Sequence, residues 1–192
     1  ELSRFPDALA RVLDAVEIAC VRLSMASGDA GEISRAADVL RGVAHGRDVP
    51  LVIDTHWKLV EPLGLDGVHL GDGARQVREV RKELGAEAVV GAFCGASRHA
   101  GLTAGEIGAD YISFGPVVAD ALLGDGVAAE ADLFGWWSEM IELPVVAEGG
   151  VTLEAAEALA PVVDFLALGP EVWGEDPMGR LRAFVGAVRV DK

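Results

Sequence analysis

The residues best able to do chemistry in this chain are carboxylates, histidines and glycine pairs that follow short apolar runs. The clearest stretch is Leu143-Pro144-Val145-Val146-Ala147-Glu148-Gly149-Gly150-Val151-Thr152. An apolar run without alternation suits a strand covered on both faces, and Pro144 is tolerated at its first residue. Gly149 and Gly150 let the backbone come close to a ligand, and Thr152 is placed to cap a helix over 153–159. Main-chain N–H groups beside a helix start hold phosphate well. The plain alternative is a tight turn with no ligand. Gly169, after the apolar run 165–168, offers a second turn of the same kind.

Acid/base or metal chemistry has its candidates at the ends of other runs. Asp54 and His56 follow 49–53, and Asp72 follows 67–70. Their types suit an acid/base pair or a cation site, against the alternative of solvated loop residues. His69 is either a hydrogen-bonded core histidine or a proton-transfer group. Glu148 stands where burial of a carboxylate is costly unless it is paired, and Arg22, Asp54, His69 and Glu171 are the partners expected for it. His45 and His99 read as surface residues, and Trp57, Trp136, Trp137 and Trp173 as packing.

These groups need a frame that brings strand ends together. Helical spacing over 6–16 is followed by a strand at 19–24 and a helix at 31–45. Strand 49–54, helix 57–63, strand 67–70 and helix 74–84 come next, and the remaining strands fall at 88–93, 111–114, 145–147 and 165–168. The connectors ending in Asp66, Asp110 and Asp164 resemble one another, each putting an acidic residue just before a strand. Strand and helix in alternation predict a parallel α/β sheet with right-handed crossovers, open or closed. Seven strands are counted. A closed (β/α)₈ TIM barrel needs one more, and the missing strand would be the first, ahead of Glu1. The irregular stretch 117–130 reads as a binding loop at the carboxyl face.

Composition sets limits on partners. With 192 residues, 51% hydrophobic content and 24 glycines, the chain suits one domain with a large core. Cys20 and Cys94 lie in no metal-type spacing and make no disulfide scaffold. No run of about 18 apolar residues is present, so no membrane span is expected. A formal charge of −15 argues against nucleic acid and makes a polyanionic substrate harder to attract, unless a local site overrules the field. A cytoplasmic protein with a small phosphorylated ligand is the expectation, and a homodimer is open.

Three motifs taken together resemble the thiamine phosphate synthase and TenI superfamily: Asp66-Gly67-Val68-His69-Leu70-Gly71, Gly108-Ala109-Asp110-Tyr111-Ile112-Ser113-Phe114-Gly115-Pro116-Val117, and 143–151. With Val52-Ile53-Asp54 the resemblance spans nearly the whole chain. It implies a (β/α)₈ barrel of thiamine biosynthesis. Synthases of this kind join a pyrimidine diphosphate to a thiazole phosphate with Mg²⁺ and release pyrophosphate, whereas TenI-type members aromatise the thiazole phosphate.

Several motif residues depart from that pattern. The strand carrying Gln-Leu-Arg-Glu-Lys in synthases reads Arg22-Leu23-Ser24-Met25-Ala26, leaving Arg22 as the group expected at substrate or phosphate. The Mg²⁺ aspartates fall on Asp54-Thr55 and near Ala74, so Asp54 and Asp72 are the displaced metal candidates. A serine of the family falls near Phe93 or Cys94. The Thr-x-Thr-Lys that holds departing pyrophosphate reads Asp120-Ala121-Leu122-Leu123, and Pro116 stands where TenI-type members often have histidine. Losing donors and a cation removes stabilisation of developing charge. The leading expectation is therefore a divergent member that binds a phosphorylated thiazole or similar molecule without normal synthase activity. Gly149, Gly150, Gly169 and Arg22 would hold the ligand, and His69, Glu148 and Asp54 would carry any catalysis. The alternatives are an active synthase with substitute residues and another phosphosugar isomerase or epimerase barrel.

Overall fold

A computed structural model describes residues 4–119 and 123–188. Seven strands are β1 (Val21–Leu23), β2 (Leu51–Asp54), β3 (Gly67–Leu70), β4 (Val89–Phe93), β5 (Tyr111–Phe114), β6 (Val145–Glu148) and β7 (Phe165–Ala167), in the sheet order in which the chain makes them. The helices are α1 (Phe5–Ala15), α2 (Ala30–His45), α3 (Val60–Leu63), α4 (Val77–Leu84), α5 (Arg98–Glu106), α6 (Ala131–Met140), α7 (Leu153–Leu159) and α8 (Pro177–Val188). Pairings of β1 with β2, β2 with β3, β4 with β5, β5 with β6 and β6 with β7 are all parallel, as the alternating pattern predicts. The chain forms two compact units, residues 1–69 with 80–89, and residues 70–79 with 90–192.

In the first unit, α1 and α2 supply Leu9, Val12, Ile33, Ala37 and Leu40 to a core that also contains Leu51, Val52 and Ile53 of β2. Asp29 caps α2 by accepting a hydrogen bond from the Glu32 N–H at 2.8 Å. The helix expected over 57–63 is a 3-10 turn at Trp57–Leu59 followed by the short α3. A Cβ on Gly67 would collide with the Val89 carbonyl, so this position tolerates no side chain.

In the second unit, the Phe114 ring meets Phe134 and Trp137 edge-on at 5.8 and 5.1 Å, which confirms Trp137 as a packing residue. The Trp137 indole N–H donates to the Leu143 carbonyl at 2.8 Å. All four residues of β6 are buried, as a strand covered on both faces requires. Thr152 caps α7 by accepting from the Ala155 N–H at 3.1 Å, as its place after the glycines predicts.

The repeated acidic connectors share one structural purpose. Asp66 accepts from the Leu51 N–H at 2.6 Å, Asp110 from the Val90 N–H at 2.7 Å and Asp164 from the Val145 N–H at 2.8 Å. In return the N–H of each aspartate donates to the carbonyl of the same residue. Each aspartate thus locks the start of its own strand to the start of the one before it. His45 packs its Nε2 against Asp66 at 2.8 Å.

Candidate functional site at the strand ends

In the second unit the carboxyl end of β6 carries Glu148, 3% exposed, and β5 carries Ser113, fully buried. Ser113 is in register with Val146, so Glu148, two residues on, shares its face of the sheet. The Ser113 hydroxyl donates a hydrogen bond to Glu148 Oε1. This supplies a partner that burial of a carboxylate demands, and it is one the sequence did not suggest. The only signal for it is a polar residue inside a buried strand. Of the partners expected for Glu148, Glu171 accepts the backbone N–H groups described below.

Beyond Glu148 the chain turns through Gly149 and Gly150, at φ of 81° and 70°. These left-handed values are open to glycine, and they aim the following N–H groups inward. The N–H groups of Gly150 and Val151 donate to Glu171 Oε1 at 3.0 and 3.3 Å, and the Gly169 N–H donates to Glu171 Oε2 at 2.8 Å. The two turns assigned to phosphate therefore converge, and a carboxylate of the chain sits on their donors. They border a cleft of about 450 Å³ lined by Gly150 to Glu154, Glu171 and Arg180. Arg180 is absent from the sequence reading; its Nε donates to the Glu171 carbonyl at 3.2 Å.

Asp72, the second metal candidate, is exposed and accepts from Gln76 Nε2 at 2.8 Å. Cys94, near the family's serine position, is buried, and burial pushes its thiol up to about 12. A thiol so far from ionisation is a poor nucleophile at neutral pH. Asp120, Ala121 and Leu122 of the altered pyrophosphate motif lie outside the described residues.

In the first unit Asp54 ends β2, and its Oδ1 lies 3.4 Å from Arg22 Nε of β1. That oxygen is buried and, among the described residues, finds no hydrogen-bond partner. Beside it is a cavity of about 150 Å³ lined by Leu23, Ser24, Met25, Ile33, Ile53, Asp54, Thr55 and the exposed His56. Thr55 sits at φ 62°, a left-handed conformation that a β-branched residue adopts at a cost. Its N–H donates to the His69 carbonyl at 2.8 Å, and His69 pairs in register with Asp54. His69 is 4% exposed. Of the group Asp54, His56 and Asp72 expected at strand ends, Asp54 and His56 line this cavity, whereas the strained Thr55 left no signal in its residue type.

Mg²⁺ takes one or two carboxylates together with substrate phosphates and water. The unbonded Asp54 oxygen fits one such ligand. Among the described residues no group of three His, Cys, Asp or Glu is placed to hold a metal.

A sequence model described as thiamine monophosphate synthase matches residues 2–169. The chain is 39% identical to the thiamine-phosphate synthase of Rhodospirillum centenum over 187 residues, covering 97% of this chain and 90% of that one. It is 36% identical to the thiamine-phosphate synthase of Erythrobacter litoralis, with 94% and 87% covered. In structure it resembles a thiamine phosphate pyrophosphorylase from Pyrococcus furiosus, with a TM-score of 0.83 at 21% identity, covering 95% of this chain and 88% of that one.

Proposed function

The chain belongs to the thiamine monophosphate synthase family, and from that premise we propose that it is an active thiamine-phosphate synthase working with substitute residues. It would join a pyrimidine diphosphate to a thiazole phosphate and release pyrophosphate. The geometry that carries this reading is the convergence of the Gly150, Val151 and Gly169 N–H groups on the two oxygens of one anion. Backbone donors so arranged are suited to phosphate. Relatives named as synthases match over nearly the full chain, and that supports activity over the loss of activity read from the departures in motif.

Within this proposal Gly149, Gly150 and Gly169 shape the phosphate turns, and Arg22 contributes a guanidinium from β1. Glu148, held by Ser113, orients a ligand or moves a proton, and His69 and Asp54 are the other catalytic candidates. Mg²⁺ would be held by Asp54, where it would neutralise phosphate charge. One functional domain, the closed eight-stranded barrel, a cytoplasmic location and a homodimer belong to the same proposal. Among the described residues no helix is long and apolar enough to cross a membrane.

A second reading, a binder without synthase activity, is favoured by the motif departures at Arg22 to Ala26 and Asp120 to Leu123. The isomerase or epimerase alternative rests on the fold and on the stretch Ala147-Glu148-Gly149. Complementation separates the first two: a bacterial strain lacking its own synthase should grow without added thiamine when this chain is expressed. Absence of growth with soluble protein present would favour the binder.

A further inference from the structure

Glu171 makes three backbone hydrogen bonds with one carboxylate, and the donors come from two separate turns. Asp66, Asp110 and Asp164, which also accept main-chain N–H groups, hold strand starts together. This one instead borders the 450 Å³ cleft, with the Arg180 side chain among its lining. We propose that Glu171 is a resident competitor for the ligand's phosphate: its carboxylate fills the anion cradle when no phosphate is present and swings out to admit one. The proposal rests on reading the two turns as the phosphate-binding part of the site, and it names the residue that sets how tightly phosphate is held there.

The backbone around Glu171 is secured without help from its carboxylate. The Val172 and Trp173 N–H groups donate to the Gly169 carbonyl at 3.0 and 3.1 Å, and Arg180 Nε holds the Glu171 carbonyl. Val172 is 4% exposed and anchors the turn. Rotation of the Glu171 side chain therefore releases all three N–H groups while the main chain stays in place. The half-buried side chain has solvent to move into. Phosphate brings more negative charge and more acceptor oxygens than the carboxylate it replaces, and the Arg180 guanidinium is at hand to meet them.

Competition of this kind lowers apparent affinity by the fraction of time the cradle stands open. It also sets specificity, since a ligand bearing only a carboxylate offers the donors nothing that Glu171 does not already give. A carboxylate that served stability alone would predict the opposite result on removal, a weaker protein with no gain in binding.

The experiment is a titration of inorganic phosphate into the full chain, read at individual backbone amides by NMR, for the wild type, E171A and E171Q. The expected result is phosphate binding about tenfold tighter in E171A than in the wild type, with E171Q between them. In every variant the shifts should centre on Gly150, Val151 and Gly169. Equal or weaker binding by folded E171A overturns the proposal. If E171A does not fold, E171Q decides, and equal or weaker binding by that variant overturns it. Shifts centred elsewhere, or none in any variant, overturn the cradle itself. Because the probe is inorganic phosphate, a failure to make thiamine phosphate leaves this result standing and bears on the synthase reading alone.

Discussion

The two ends of the strands use the same contact for opposite purposes. At the amino ends, Asp66, Asp110 and Asp164 accept backbone N–H groups from Leu51, Val90 and Val145, all of which are buried. Each aspartate accepts that main-chain N–H and gives its own N–H in return, a closed exchange with no ligand in it. At the carboxyl ends, Glu171 answers three donors across two glycine-bearing turns beside a cleft. Glu148 is buried against Ser113, and Asp54 keeps an oxygen with no hydrogen bond among the described residues. A carboxylate on backbone N–H groups is a structural lock where the chain closes around it. It becomes a replaceable anion where space and a cation stand beside it.

The comparison can be broken most forcefully at the amino ends. Gly67→Ala drives a methyl into the Val89 carbonyl and should cost about 3 kcal/mol, the upper end of overpacking. Chemical denaturation measures it, and a loss below about 1 kcal/mol would mean that the strand starts yield. At the other end, Glu148→Gln keeps shape while removing the carboxyl group next to Ser113. Product formation should fall about 100-fold if Glu148 is a positioned acid or base. An unchanged rate would assign Glu148 to structure.

The direct contrast is Asp164→Ala against Glu171→Ala. Removing Asp164 leaves the buried Val145 N–H without its acceptor and should cost about 1–3 kcal/mol. Removing Glu171 leaves its donors facing a cleft where water or phosphate can take over, so the loss should be smaller, below about 1 kcal/mol. Urea unfolding of both variants orders them, and a larger loss at Glu171 would reverse the distinction drawn between the two ends. The smallest effect concerns Thr55, whose φ is 62°. Thr55→Gly should gain about 0.5–1 kcal/mol, since relief of strain exceeds the added entropy of the unfolded chain. A loss of stability would show that Thr55 is held by contacts stronger than its strain.

Much of the frame was legible because unbroken apolar runs such as 145–147 can only be satisfied between two covering layers. Boundaries were less so. The helix expected from Ala74 begins at Val77, and the strand expected from Ala19 begins at Val21, since propensity varies smoothly where hydrogen bonding stops abruptly. The glycine turns were readable from residue type, as few residues adopt φ of 70–81°. What fills them was not. Glu171 lies 21 residues from Gly150, and only the register of β6 with β7 brings such positions together. The Ser113–Glu148 pair spans 35 residues and was hidden for the same reason. The acidic connectors were visible as a repeat, yet their partners at the preceding strand starts follow from the parallel register alone.

The most direct test of synthase activity mixes the purified protein with pyrimidine diphosphate, thiazole phosphate and Mg²⁺, and follows thiamine phosphate by chromatography. The account predicts product formed only when both substrates are present, at a rate on the order of 1 per second. No product above the uncatalysed background, from folded protein that still binds phosphate, would contradict it.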